Sequence, residues 1–288
     1  MFSPSGLSPG NLDIINRMIL LDGACGSLLW DAAERNGIAK SPTWMFNMEH
    51  PELVLDMHRK YIDAGCDMIQ TNTFSANSPV VARFSDYSID DIVKEAVGLA
   101  KQAAEGTGVK VYLSSGPLTQ LLEPYGPLGT YECAKIYDEI IHTAAKSGVE
   151  AIMLETFMDI RMMKIAAEVA KRYALPVICS MTFEKRRRTM MGDTIRQICD
   201  ALEPLEVDAV GMNCSKGPVE GLEVIKEYRE TTSLPLYFKP NTGIGENYNP
   251  VQFADEISPA LEYVTYIGGC CGTDETYIKE LKSRIDAP

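Results

Sequence analysis

Three cysteines carry the strongest chemical signal in this 288-residue sequence. Cys270 and Cys271 are adjacent, within Gly268-Gly269-Cys270-Cys271-Gly272-Thr273, and Cys214 lies in Gly211-Met212-Asn213-Cys214-Ser215. Neighbouring side chains in a strand point to opposite faces. Two adjacent thiols that grip one ion therefore need the backbone to leave strand geometry, which flanking glycines permit. The three thiols read as one zinc site. Three protein ligands leave the fourth position of a tetrahedral zinc open, the pattern of a catalytic rather than a structural metal. The spacing is not that of a zinc finger, and buried structural cysteines or a vicinal disulfide would also account for it.

The elements that must position these thiols are legible as an alternation. Eight short β-type runs, at 18–22, 68–72, 109–114, 151–155, 177–181, 209–213, 236–239 and 263–267, are each followed by a segment of helical periodicity. Helices are expected over 90–104, 131–147, 160–173, 219–231, 250–263 and 275–285, with Ser88, Asp90 and Asp274 as start signals. Alternating β and α units predict a parallel sheet with helical cover. Eight of them favour a closed (β/α)8 TIM barrel over an open doubly wound sheet, and no GxGxxG follows the first run. Active sites of this fold lie at the C-terminal ends of the strands. Cys214 falls just after the sixth run, Cys270 and Cys271 just after the eighth, and Lys239-Pro240-Asn241 ends the seventh between them. The fold thus brings distant cysteines to one ion.

Other strand ends are polar: Asp22-Gly23, Thr71-Asn72-Thr73, Glu155-Thr156, and Thr182 with Glu184. A carboxylate there can cap the next helix, worth about 1 kcal/mol. Two carboxylates around a metal and a cleft read better as ligand-binding groups, serving recognition rather than folding.

Composition bounds the rest. The chain is 45% apolar and 23% charged, ordinary globular values, with a net charge of −13. That balance argues against nucleic acid and against an anionic membrane surface as partners. No apolar run is long enough to span a bilayer, and residues 1–17 lack a secretory pattern. Those residues are expected as a loose lead-in and 18–288 as one barrel domain. Eight cysteines without a secretory signal fit a reducing cytoplasm.

The motifs together resemble the homocysteine S-methyltransferase family, most closely the homocysteine-binding barrel of the cobalamin-dependent methionine synthases. The residues that carry the likeness are Leu21-Asp22-Gly23-Ala24 with Gly26-Ser27; Gln70-Thr71-Asn72-Thr73-Phe74; Gly116-Pro117 with Leu122-Glu123-Pro124-Tyr125-Gly126; Leu154-Glu155-Thr156-Phe157; Met181-Thr182-Phe183; Asn213-Cys214-Ser215; Pro240-Asn241-Thr242-Gly243; and the run from Gly268 to Thr273. The resemblance implies zinc on Cys214, Cys270 and Cys271. It implies that Asp22 and Glu155 hold the amino-acid end of homocysteine, with Gly23, Thr73, Asn213 and Asn241 as further substrate contacts. It also implies that Asn241 can lie near the metal when substrate is absent. The chain departs from the usual pattern at Cys25, where methionine is common, at Gln70, often glutamate, and at Thr242, often alanine. The loop at 243–249 reads as short.

A free thiol with a pKa of about 8.5 is mostly protonated at neutral pH, and coordination to zinc deprotonates it. Three cysteinates give the metal site a formal charge of about −1. A homocysteine thiolate there stays nucleophilic and would attack an activated methyl group in line, giving methionine. The leading expectation for the donor is a methylated corrinoid brought by a separate protein, because the chain lacks a cobalamin-binding signature and ends soon after the last helix. A small donor taken directly, S-methylmethionine or betaine, is the alternative, with Phe74, Tyr125 and Phe157 as candidate aromatic walls. A non-catalytic zinc- or thiol-binding subunit, or an enzyme for a different thiol or selenol, would use the same scaffold.

Several residues read as ordinary structure. His50, His58 and His142 lie in or beside expected helices, and Cys66, Cys133, Cys179 and Cys199 as buried inert thiols. Cys25 is nearer the mouth. The run Lys185-Arg186-Arg187-Arg188 reads as a solvated turn, or as a docking patch for an acidic partner.

Overall fold

The computed structural model describes residues 18–242 and 248–287. The lead-in at 1–17 and residues 243–247 of the short loop lie outside the described residues. Eight strands form one sheet: β1 (Ile19–Leu20), β2 (Met68–Gln70), β3 (Lys110–Ser115), β4 (Ala151–Phe157), β5 (Val177–Met181), β6 (Ala209–Asn213), β7 (Leu236–Lys239) and β8 (Tyr266–Ile267). Their order is β1-β8-β7-β6-β5-β4-β3-β2. Every pairing is parallel, and helices run between the strands. The two ends of the sheet meet at a parallel bridge between Leu21 and Met68, with the Asp67 amide donating to the Leu20 carbonyl at 2.7 Å. The result is the expected (β/α)8 barrel, closed but for the thin β1–β2 seam. No helix among the described residues is long and apolar enough to cross a membrane.

Alternation along the strands sorts side chains into two cores. Leu21, Met68, Tyr112, Ala151, Met153, Ile178, Ala209, Tyr237 and Tyr266 fill the barrel interior. Ile152, Leu154, Val177, Cys179, Val210, Met212, Leu236 and Phe238 face outward into the larger core under the helices. Beyond the apolar interior layer, toward the C-terminal ends, the inward residues turn polar: Ser114, Glu155, Ser180, Asn213 and Lys239, all buried. The sequence thus builds a dry floor with a polar recess on top.

The start signals act as expected. Ser88 accepts from the Asp91 amide at 3.1 Å and Asp274 from the Thr276 amide at 2.9 Å. Of the ends that differ from expectation, two have a clear local cause. The helix from Pro250 stops at Ile257 and gives way to a 3-10 turn, Ser258–Glu262, because Pro259 has no amide hydrogen to continue the ladder. β8 consequently starts at Tyr266. β4 runs two residues further than expected, through a register shift between Leu154 and Phe157 at Thr156, whose φ is 65°.

Candidate metal centre

β6 ends at Asn213, and the chain then turns through Cys214 and Ser215 with φ of 60° and 51°. β8 ends at Ile267, and the chain turns again, the Thr273 amide donating to the Cys270 carbonyl at 3.1 Å across Gly272 with φ of 86°. This is the break from strand geometry that adjacent thiols require, and glycine accepts the left-handed turn without cost to a Cβ. The thiol sulfurs of Cys214, Cys270 and Cys271 all lie within 4.8 Å of one another. Those of Cys214 and Cys271 are 3.8 Å apart. Zn–S bonds of about 2.3 Å in a tetrahedron place two sulfurs roughly 3.8 Å apart, so the donor set fits zinc in both chemistry and spacing.

The end of β7 holds the two cysteine turns at this separation. The Lys239 carbonyl accepts the Cys214 amide at 3.1 Å, and the Pro240 carbonyl accepts the Cys270 amide at 2.8 Å. The Asn241 amide then donates to the Lys216 carbonyl at 2.9 Å, and the Thr242 amide to the Cys271 carbonyl at 3.2 Å. Four consecutive residues thus bond alternately to one turn and the other. Left as thiols, the cysteines titrate high. The hydrogen bond to Cys214, followed by burial, pushes Cys270 up to about 12. Only a cation of matching charge makes such a cluster anionic at neutral pH.

The polar recess adjoins the thiols. Asn213 ties the two together: its amide group donates to Thr156 Oγ1 at 2.7 Å, Glu155 Oε2 at 3.4 Å and the Cys270 sulfur at 3.8 Å. Its oxygen accepts from the Thr156 amide at 2.8 Å and Ser180 Oγ at 2.7 Å. Glu155 also takes the Ser114 hydroxyl, and burial pushes its carboxyl above the ordinary range, opposed by Lys239 and by that hydrogen bond. Asp22 accepts from Lys239 Nζ at 2.7 Å, Tyr112 Oη at 2.8 Å and the Gln70 amide at 2.7 Å. Neither carboxylate caps a helix. Cys25 stands at the start of the helix after β1 with no capping bond, and Asp159 caps the one after β4.

The remaining expected contacts are spread around this recess. A Cβ on Gly23 would come within 2.7 Å of both Thr273 Oγ1 and Tyr61 Oη, so this glycine lets the β1 turn close on the Cys270 turn. Thr73 is buried, its hydroxyl donating to the Ser114 carbonyl at 2.7 Å and sharing a 2.6 Å bond with Thr71. It braces β2 to β3. Asn241 is buried with its side-chain oxygen unpartnered, an orphaned acceptor beside the cysteine turns. Cys25 is half-buried and donates to Asn72 Oδ1 at 3.3 Å. Phe157 is no wall of the mouth: it is fully buried on the helix side and stacks on Tyr137 at 5.9 Å. His50 lies 3.7 Å from Glu52, His142 packs edge-on against Tyr173, and Arg187 of the basic run pairs with Glu227 on the surface.

Sequence reasoning missed Lys239 as a site residue. Its only signal was a cation two positions after Tyr237 on the inward phase of an apolar strand.

The profile of the homocysteine S-methyltransferase family matches residues 19–285, and the chain belongs to that family. Similar sequences include the methionine synthases of Mycobacterium tuberculosis, 29% identical over 309 residues, and Mycobacterium leprae, 29% identical over 306 residues. These alignments cover 95% and 94% of this chain but 25% and 24% of those proteins, so the chain spans about a quarter of their length. Among solved structures, the homocysteine methyltransferase MmuM of Escherichia coli in its metallated form superimposes with a TM-score of 0.79 at 22% identity, over 96% of this chain and 99% of that one. Its oxidized form gives the same TM-score at 22% identity, over 95% and 98%. These two likenesses support the fold.

Proposed function

We propose that this chain is a zinc-dependent methyltransferase that methylates the thiol of homocysteine to methionine, with a methylated corrinoid on a separate protein as donor. The observation that carries the reading is the cluster of Cys214, Cys270 and Cys271 within 4.8 Å, at the strand ends of a barrel of this family. Zinc on these three sulfurs would supply a fourth position that binds the substrate sulfur and keeps it deprotonated.

The chain's own residues then do two things. Asp22 and Glu155 offer the substrate ammonium group a carboxylate-lined recess, and Asn213 couples that recess to Cys270. The main chain of β7 fixes the distance between recess and thiols. In the transfer the substrate sulfur forms a bond to the methyl carbon as the donor–carbon bond breaks, and the donor keeps the bonding electron pair. The thiol proton has already left to solvent, so no general base is required.

Cys214→Ala should abolish both zinc retention and methyl transfer to homocysteine, read by metal analysis and methionine formation on the same sample. Full zinc occupancy in that variant refutes the ligand assignment. Zinc-loaded wild-type protein that forms no methionine with any methyl donor refutes the activity and favours a non-catalytic thiol-binding role.

A further inference from the structure

Lys239 is the anomaly of the recess. A lysine side chain 1% exposed stands at the top of the barrel interior, paired with an equally buried Asp22. Its ammonium reaches Asp22 Oδ1 at 2.7 Å, Tyr112 Oη at 3.1 Å and Gln70 Oε1 at 3.4 Å. An ammonium has three hydrogens to donate. All three are committed within the protein, so Lys239 has none left for a substrate carboxylate. Asp22 is held as firmly, between Lys239, Tyr112 Oη at 2.8 Å and the Gln70 amide at 2.7 Å.

The second carboxylate sits on the same strand. Tyr112 and Ser114 are successive inward positions of β3; the first bonds Asp22 and the second bonds Glu155. Two such positions are roughly 7 Å apart along a strand. Two carboxylates against one ammonium leave the recess one positive charge short of neutrality, the charge an α-ammonium group supplies. Without Lys239, Asp22 would not persist as a lone buried charge, whose desolvation costs several kcal/mol.

We infer that Lys239 is a positioning residue for the amino-acid end of the thiol substrate: it pins Asp22 in the floor of the recess, and its carbonyl bond to Cys214 sets that floor at a fixed distance from the metal ligands. The role rests on homocysteine being the acceptor. It separates recognition of the amino group from recognition of the sulfur, which the three cysteines provide.

Calorimetric binding of two thiols to zinc-loaded protein tests this: homocysteine, and 4-mercaptobutanoate, which lacks only the amino group. Lys239→Met should weaken homocysteine binding by about tenfold or more, about 1.4 kcal/mol, while 4-mercaptobutanoate stays within about twofold. Zinc content should be unchanged, because the carbonyl bond to Cys214 survives the substitution. Lys239→Arg should recover part of the loss. Should the single variant fold poorly, Asp22→Asn/Lys239→Met removes both buried charges, and it should bind homocysteine no more weakly than Asp22→Asn alone. Equal weakening of both thiols, unchanged or tighter homocysteine binding, or additive losses in the double variant would overturn the role. Wild-type protein that binds the two thiols equally overturns the homocysteine reading itself, and this role with it.

Discussion

Glu155 and Asp22 enter the sequence as one pair of strand-end carboxylates, but the protein treats them differently. Asp22 is neutralised by a lysine, so its removal leaves Lys239 as an uncompensated buried charge and costs stability as well as binding. Glu155 has no ion pair of its own, and burial raises its carboxyl above the ordinary range. The sign follows. Above the raised value the group is an anion able to hold an ammonium; below it the group is a neutral acid. Homocysteine affinity should therefore fall as pH drops through a value higher than that of an ordinary carboxyl. Glu155→Gln should bind about tenfold more weakly at neutral pH and lack this step. A raised folded-state value also means that Glu155 adds stability at low pH and loses it as pH rises, so the glutamine variant should melt no lower than wild type at neutral pH. Calorimetric titration across pH, with zinc content followed in parallel, reads both. A pH step that persists unchanged in Glu155→Gln assigns it to another group.

At the scale of elements, the barrel and the meeting of its three cysteines were legible because both depend on local signals. Eight short apolar runs, each followed by a helical segment, marked eight strands, and the Gly-Gly-Cys-Cys-Gly run marked the turn after β8. Lys239 was not legible, since its burial depends on partners from β1, β2 and β3 that no window around Leu236–Lys239 contains. Phe157 was misread for a related reason. Simple alternation from Ala151 puts it on the inward face with Glu155, but the irregularity at Thr156 shifts the phase and sends the ring to the helix side. Helix Pro51–Asp63 buries His58 with both ring nitrogens unpartnered, and burial lowers its pKa from 6.5 to about 4. The unfolded chain thus binds this proton first as pH falls. Stability from this site is full above the unfolded value and lost as pH drops from about 6.5 to about 4, a change on the order of 3 kcal/mol. His58→Leu should flatten denaturant-measured stability across that window. An identical pH slope in the variant would place the titration elsewhere.

For the molecule as a whole, the proposed transfer needs a methyl donor that can reach a recess at the barrel mouth. A small cationic donor calls for aromatic faces around the methyl-bearing centre. Of the three rings expected there, Phe157 is buried outside the barrel interior, and one face of Tyr125 is occupied by the Arg161 guanidinium at 5.0 Å. Phe74 is 44% exposed, its ring lying over Gly116. Among the described residues, then, these rings do not assemble into a cage. Cys271 is exposed, and Tyr125 and Tyr131 stand 67% and 84% exposed on the loop and helix start that follow β3. A thiol open to solvent after β8, with aromatics projecting from the segment after β3, suits a broad, flat donor presented from outside better than a small one engulfed. Purified protein supplied with homocysteine and zinc should therefore form methionine from methylcobalamin or a methylated corrinoid protein, and little from betaine or S-methylmethionine. Rates measured side by side decide it. Rapid turnover with either small donor and none with the corrinoids would reverse the choice of donor while leaving the homocysteine site intact.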